Sequence, residues 1–115
     1  MESVRQSKVA KLIQKELAEL FRAEAKNMFF GAFISVTVVR VSPDLSSAKV
    51  YVSIMAPGKD EKEIFKIITD HNFLIRKKLG TIIGKQVRII PELHFYVDDS
   101  YDYAQRINDL LNKPI

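Results

Sequence analysis

Cysteine is absent from this sequence of 115 residues. Its absence excludes disulfide bonds, thiol catalysis, iron–sulfur clusters and thiolate zinc sites, and it fits a reducing compartment. The longest apolar segment, residues 28–39, is interrupted by glycine, serine and threonine, and it is shorter than the roughly 20 apolar residues that a membrane helix needs. The first residues, MESVRQSKVAK, lack the apolar stretch of a secretory signal. These absences predict a cytoplasmic protein without a membrane partner.

Enzyme motifs are also missing. The sequence contains no HExxH metal motif, no GxSxG nucleophile turn, no phosphate-binding loop and no dinucleotide-binding glycine pattern. The two histidines, His71 and His94, fall on different predicted elements. Asp98 and Asp99 are adjacent, so on an extended segment their side chains point in opposite directions and do not form an acid/base pair. We therefore expect no catalytic residue, metal site, cofactor or small-molecule substrate.

Glycine and proline are scarce, with four residues of each. With 47% hydrophobic and 28% charged residues, the composition excludes disorder, collagen-like repeats and a coiled coil, and it is typical of a globular domain. A length of 115 residues corresponds to one domain with one core. The sequence predicts a single domain over residues 1–115. Because no large apolar patch requires a partner subunit, we expect a monomer.

The first half of the chain predicts a helix and a β-hairpin. A Ser-x-x-Gln capping box opens a helix over residues 3–26, in which apolar side chains recur with the helical period. Segments 33–41 and 48–55 predict strands, the first from its β-branched residues and the second from its alternating pattern. The Ser-Pro-Asp-Leu turn at residues 42–45 connects them, and so short a connection favours antiparallel pairing.

The second half predicts a helix and an edge strand. Asp60 can cap a helix over residues 60–79, and Gly80 is expected just beyond its end. The third strand, over residues 87–96, contains Pro91, which cannot donate to a β-ladder and therefore favours a sheet edge or a bulge. The passage from strand through helix to strand predicts a right-handed crossover and a parallel pair.

These elements together predict an α+β fold in the order α-β-β-α-β. The sheet is expected to be mixed and three-stranded, with the helices packed on one of its faces. A short C-terminal helix over residues 100–112 is expected to follow the third strand. No internal repeat or low-complexity segment divides the chain.

Basic residues are concentrated in one segment. The net charge is +4, and residues 71–90 hold five basic residues and no acidic one. Cations favour a helix C-terminus, which explains some of them, but a one-signed segment of this length favours a surface that binds a polyanion. Gly80 and Gly84 lie beside these charges and allow a phosphate to approach the backbone. We expect nucleic-acid binding by Arg76, Lys77, Lys78, Lys85 and Arg88, with Lys8 and Lys11 extending the surface if the first helix packs beside the second.

Aromatic residues allow two interpretations, core filling and base stacking. Core filling is favoured at the helix–strand junction, which holds Phe29, Phe30 and Phe33. Tyr51 and Tyr96 lie on the polar faces of two predicted strands, where the pattern leaves both interpretations open.

Four stretches of the sequence match a known family in the same order. They are VAKLIQKELA at residues 9–18, VTV at 36–38 with VSPDLSSAKVYVS at 41–53, IRKKLG at 75–80, and PELHF at 91–95 followed by DDS at 98–100. Together they resemble ribosome-binding factor A, a family of small bacterial proteins that help mature the small ribosomal subunit. The DLSSAKVYVS and PELHF blocks are the specific ones.

The resemblance implies a KH-like fold of the type II topology, in agreement with the predicted α-β-β-α-β order. It also implies a ribosome biogenesis factor that binds the small (30S) ribosomal subunit and its 16S rRNA. Such a factor assists late maturation and processing of that RNA and has no catalytic activity.

The family has an Ala-x-Gly element that kinks the second helix where a KH domain has its GxxG loop. This sequence has His71, Asn72 and Phe73 at that place. His71 falls on the apolar stripe of the predicted helix, which favours a core or helix-break residue over a ligand. Without the glycine, a kink would need another cause, such as an Asn72 side chain that competes for backbone hydrogen bonds.

The residues alone leave two other functions open. One is a protein-interaction module whose basic surface meets an acidic partner. The other is a small phosphate-hydrolysing α/β enzyme of the acylphosphatase type. Such an enzyme would need a catalytic arginine and asparagine with a glycine-rich anion loop after the first strand, and no such loop follows residue 41.

Overall fold

The computed structural model describes residues 3–98. Within them, the helices are α1 (Val4–Ala23), α2 (Ala25–Met28), α3 (Glu61–Asp70) and α4 (Asn72–Ile83), and the strands are β1 (Phe33–Val41), β2 (Ser47–Met55) and β3 (Glu92–Val97). The C-terminal helix predicted over residues 100–112 lies outside the described residues, as does Asp99. None of the helices in the described range is long and apolar enough to cross a membrane.

The sheet has the order β1-β2-β3 and is mixed, as predicted. β1 pairs antiparallel with β2, and β3 pairs parallel with the other edge of β2. The parallel pair follows from the crossover through α3 and α4, which brings the chain back to the N-terminal end of β2. The first ladder bond of β3 runs from the Glu92 N–H to the Ser46 carbonyl, at 2.9 Å.

Helices cover one face of the sheet, which confirms the predicted layer order. Alternate strand residues point into a single hydrophobic cluster with the apolar faces of α1, α3 and α4. β1 keeps this alternation only by means of a β-bulge at Thr37, since Val36 pairs with Val52 and Val38 with Tyr51. The opposite side chains of all three strands form a face that no described helix covers, which we call the open face.

α1 begins as predicted and ends earlier. The Ser3 hydroxyl accepts from the Gln6 N–H at 3.1 Å, and the Gln6 side chain accepts from the Ser3 N–H, so the capping box is confirmed. Gln6 also donates to the Val41 carbonyl at 2.9 Å, which fixes α1 to the end of β1. The helix stops at Ala23 rather than residue 26, because Glu24 adopts φ −96° and ψ 4° before the short α2.

The phenylalanines after α2 divide between the core and the surface. Phe29 is fully buried, with its ring edge-on to Phe21 at 5.6 Å, as core filling predicts. Phe30 and Phe33 are 67% and 58% exposed, so that prediction is wrong for them. The cause is the reversal of the chain at Phe30 and Gly31, whose φ angles are 53° and 80°. This reversal turns the two side chains away from the core.

The second predicted helix consists of α3 and α4, with a break at His71. Its start is confirmed, since the Asp60 carboxylate caps α3 by accepting from the Lys62 N–H at 2.9 Å. Its predicted end at Gly80 is wrong, because α4 continues to Ile83, which is fully buried. Burying an isoleucine is worth about 1.5–3 kcal/mol, more than the roughly 1 kcal/mol that a glycine costs inside a helix.

The predicted start of the third strand is also wrong. Residues 87–91 form a loop, and β3 begins only at Glu92. Pro91 lies immediately before the strand and is fully buried, so it interrupts no ladder. The predicted edge position of the third strand is confirmed in the described sheet, but the predicted reason is wrong, because Pro91 lies outside the strand.

Candidate nucleic-acid interface

Three segments surround a cleft of about 450 Å³ at one end of the sheet. They are the first turns of α1, the β1–β2 turn and the loop between α4 and β3. Each of the two outer segments contributes cations, namely Arg5 and Lys8 from α1 and Arg88 from the loop. The β1–β2 turn contributes Asp44. We call this group the basic cleft.

α1 presents its cations on one exposed stripe because they are spaced by three or four residues. Arg5, Lys8, Lys11 and Lys15 are all exposed, whereas the residues of the opposite stripe lie in the core. Lys8 therefore lies in the cleft, and Lys11 continues the basic surface one turn further along the helix. Arg5 was not among the predicted site residues, although its spacing of three from Lys8 on the polar face could have indicated it.

The loop after α4 brings Arg88, from the second half of the predicted basic segment, close to the cations of α1. Both the Gln86 and Val87 N–H groups donate to the Ile83 carbonyl, which turns the chain sharply at the end of the helix. Arg88 then reaches the basic cleft, and the exposed Lys85 lies on the same loop. Lys8 and Arg88 are 80 residues apart in sequence and line the same cleft, as expected if α1 packs beside α4.

The Arg76 guanidinium donates hydrogen bonds to backbone carbonyls within the protein. Its Nε donates to the Pro91 carbonyl at 3.1 Å, and its Nη2 donates to the Ile90 carbonyl at 2.6 Å. The side chain is half-buried. These bonds satisfy two backbone carbonyls of the loop that carries Arg88, so Arg76 positions that loop.

Lys78 is also paired within the chain, while Lys77 is exposed to solvent. The Lys78 Nζ lies 3.1 Å from Glu24 Oε1, and the two side chains are 41% and 23% exposed. This ion pair joins α4 to the end of α1. Its cation is partly neutralised, which makes it a weaker phosphate ligand than the cations of the basic cleft.

The break between α3 and α4 is centred on His71. His71 is exposed, so the expectation that it lies on the inner stripe is wrong, whereas its interpretation as a helix-break residue is confirmed. Its Nδ1 lies 2.9 Å from the Ile67 carbonyl, which also accepts from its backbone N–H. The ring therefore shares a carbonyl that keeps its helical bond, and the side chain that contacts the preceding turn at the break is His71 rather than Asn72.

Asn72 and Phe73 have different surroundings. The Asn72 amide donates to the Leu93 carbonyl at 2.7 Å and so ties the start of α4 to β3. Phe73 is 80% exposed. The three residues of the predicted kink element therefore lie together at the helix break, at a distance from the basic cleft that is set by the full length of α4.

Asp44 is the acid of the basic cleft. Its Oδ1 accepts from the hydroxyls of Ser46 and Ser42, each at 2.7 Å, and from the Ser46 N–H at 3.1 Å. These bonds, the Ser46 hydroxyl first, lower the pKa of Asp44 from 3.8 to about 2. Within residues 3–98, the ion pairs are Lys78–Glu24 and His94–Glu92, so the cations of the cleft are not paired to a carboxylate there.

The fold and the cleft define a class of protein: a KH-like domain of type II topology whose basic cleft forms no ion pair within residues 3–98. The family model described as ribosome-binding factor A matches residues 5–111. A ribosome-binding factor A from Cytophaga hutchinsonii is 56% identical over 113 residues, which cover 98% of this chain and 84% of that protein. The chain belongs to the ribosome-binding factor A family.

Solved structures of relatives have the same fold. The crystal structure of ribosome-binding factor A from Thermus thermophilus superposes with a TM-score of 0.65 at 22% identity, over 80% of this chain and 94% of that one. A homology model of the Thermus thermophilus protein, fitted into a cryo-EM map of a 30S complex, gives 0.60 at 24% identity over 76% and 89%.

Proposed function

We propose that this chain binds the small (30S) ribosomal subunit through its 16S rRNA and assists late maturation and processing of that RNA. The observation that carries the proposal is the basic cleft, where cations from two distant segments converge without a carboxylate partner in the described residues. Family membership supports it, since a Thermus thermophilus relative is described in a 30S complex. We place this activity in the cytoplasm, in a single KH-like RNA-binding domain over residues 1–115.

The RNA contacts are assigned to the exposed cations. Arg5, Lys8 and Arg88 would neutralise phosphates in the cleft, and Lys11, Lys77 and Lys85 would extend the contact around it. Phosphate contacts fix the position of the protein but carry no sequence information, so specificity would come from the shape of the RNA in one maturation state. In this way the protein would hold a flexible rRNA region in one arrangement until later assembly steps displace it.

The chemistry of the cleft favours binding over catalysis. A general base works best with a pKa near the operating pH, whereas the pKa of Asp44 is about 2. Its Oδ1 is also occupied by three hydrogen bonds of its own turn. Guanidinium and ammonium groups around such a carboxylate suit phosphate recognition, and we propose a non-catalytic role.

Co-sedimentation with immature and mature small subunits across a salt series tests this function. Wild type should bind immature subunits selectively, with an affinity that falls by about 0.7–0.9 log units per phosphate contact for each log unit of salt. Replacing Arg5, Lys8 and Arg88 by alanine should weaken binding and lower the salt slope by about 2–3.

A matched control removes three cations elsewhere. Lys26, Lys62 and Lys66 are exposed and lie outside the basic cleft. Their triple alanine variant should keep the wild-type salt slope to within about one contact. Equal losses in both variants would contradict the cleft as the site, and binding that resists RNase but follows an acidic protein would favour the protein-interaction module.

A further inference from the structure

The open face of the sheet carries a stacked pair of tyrosines at its centre. Tyr51 in β2 and Tyr96 in β3 are paired in register, and their rings lie 5.4 Å apart at 27°. Tyr96 is 43% exposed and Tyr51 is half-buried. Because the helices cover the other face of the sheet, the pair presents aromatic surface to solvent.

A basic row crosses the open face next to this pair. Arg40, Lys49 and His94 are neighbours on β1, β2 and β3 in the observed register. They lie two residues along each strand from the tyrosine row, which is roughly 7 Å. Arg40 and Lys49 are exposed, and neither is in an ion pair with a carboxylate of the described residues.

The other side of the tyrosine pair is polar. The bulge at Thr37 places an extra hydroxyl on this face, 2.6 Å from Asp98 Oδ2 and 3.2 Å from the Tyr51 carbonyl. Ser35 and Ser53 are paired in register in the next row. The open face therefore has the cations Arg40 and Lys49 on one side of the stacked rings and hydroxyl and carboxylate groups on the other. On the cation side, His94 is paired with Glu92 at 3.8 Å.

Sheet stability explains only part of this arrangement. A cross-strand tyrosine pair stabilises a sheet by packing alone. Packing does not require two unpaired cations beside the rings, because like charges on neighbouring strands, here Arg40 and Lys49, oppose strand pairing. Aromatic rings next to cations are instead the combination that binds single-stranded nucleic acid, since each base stacks on a ring while its phosphate meets a cation.

We propose that the open face is a second RNA site, which takes a short single-stranded segment. Bases stack on Tyr51 and Tyr96, and Arg40 and Lys49 bind the adjoining phosphates. The inference rests on the proposed function only for the choice of RNA as the polyanion. Arg40 and Lys49 are also the open-face pair nearest the β1–β2 turn, which lines the basic cleft, so one strand can pass around that turn from cleft to open face.

Binding of fluorescently labelled hexauridine and hexaadenosine, followed by anisotropy and by amide chemical shifts, tests the site. Leucine at both Tyr51 and Tyr96 should weaken binding about tenfold or more, whereas phenylalanine at both should keep it within about twofold, because stacking needs only the ring. Alanine at both Arg40 and Lys49 should lower the salt slope by about 1.4, the value for two phosphate contacts of a single strand.

Two controls separate this site from the proposed function. Thermal unfolding shows that each variant is folded. In the triple alanine variant of Arg5, Lys8 and Arg88, which should lose the small subunit, the hexanucleotides should still shift the amides of Tyr51 and Tyr96. Hexanucleotides that do not bind, that bind the leucine variant equally well, or that shift only amides of the basic cleft would each overturn the second site. If wild type binds the hexanucleotides but not the small subunit, only the proposed function is overturned.

Discussion

Asp44 shows how a single turn tunes one carboxyl group. Its three hydrogen bonds all stabilise the ionised form, and its pKa falls to about 2 although the side chain is exposed. The folded pKa lies below the unfolded value of 3.8, so the turn gains stability that is fully present above pH 4. That stability is lost as the pH falls from 4 towards 2.

We expect replacement of Ser46 by alanine to raise the pKa of Asp44 towards 3.8, because the largest of the stabilising bonds is removed. A carbon-detected NMR titration of the Asp44 carboxyl between pH 1.5 and 6 measures the midpoint directly. Replacement of Ser53, a serine on the open face that does not contact Asp44, is the matched control and should leave the midpoint near 2. A midpoint unchanged in Ser46→Ala would refute the assigned cause.

Arg76 and Lys77 are adjacent cations with opposite environments. We expect Arg76→Ala to lower the free energy of unfolding by about 1–3 kcal/mol, because two backbone carbonyls lose a charged donor. Lys77→Ala should change it by less than about 0.5 kcal/mol, since that side chain is exposed. Urea unfolding followed by circular dichroism measures both variants. Equal effects would mean that Arg76 does not position the loop.

At the scale of elements, the glycine inside α4, Gly80, and the glycine that caps its C-terminal end, Gly84, behave differently. A Cβ at Gly80 would lie 3.4 Å from the side chain of Ile90, in ordinary contact, whereas a Cβ at Gly84 would lie 2.6 Å from the Gly80 carbonyl oxygen. Gly80→Ala should therefore stabilise the protein by about 0.5–1 kcal/mol through helix propensity. Gly84→Ala should destabilise it by about 1–3 kcal/mol. Thermal unfolding of both variants decides the signs, and a stabilising Gly84→Ala would contradict the observed helix end.

Local patterns were sufficient to predict the elements that depend on neighbouring residues. The capping box at Ser3, the hairpin around the turn at residues 42–45 and the cap at Asp60 all involve groups a few residues apart. At His71 the apolar period continues through the break, so the pattern left a core residue and a helix-break residue as equal interpretations. Two bonds at the break involve groups that the apolar period does not report, the His71 ring at the Ile67 carbonyl and the Asn72 amide at β3.

At the scale of the whole molecule, the sequence predicted only part of the basic surface. Charge spacing identified Lys8 and Arg88, which do line one cleft. The sequence could not separate the free cations from Arg76 and Lys78, because their partners are backbone carbonyls and a glutamate far along the chain. The sequence also could not choose between core filling and base stacking for Tyr51 and Tyr96, since their neighbours are known only once β3 pairs with β2.

The bulge at Thr37 divides β1 into two halves that turn differently numbered residues towards the helices. Before it the even-numbered residues, Ile34 and Val36, face the helices, and after it the odd-numbered ones, Val39 and Val41, do so. A single residue inserted elsewhere in the strand would invert one half and expose its apolar side. The length of β1 can therefore change only by two residues at a time, or at Thr37 itself, where losing the extra residue would remove both the bulge and a polar group of the open face.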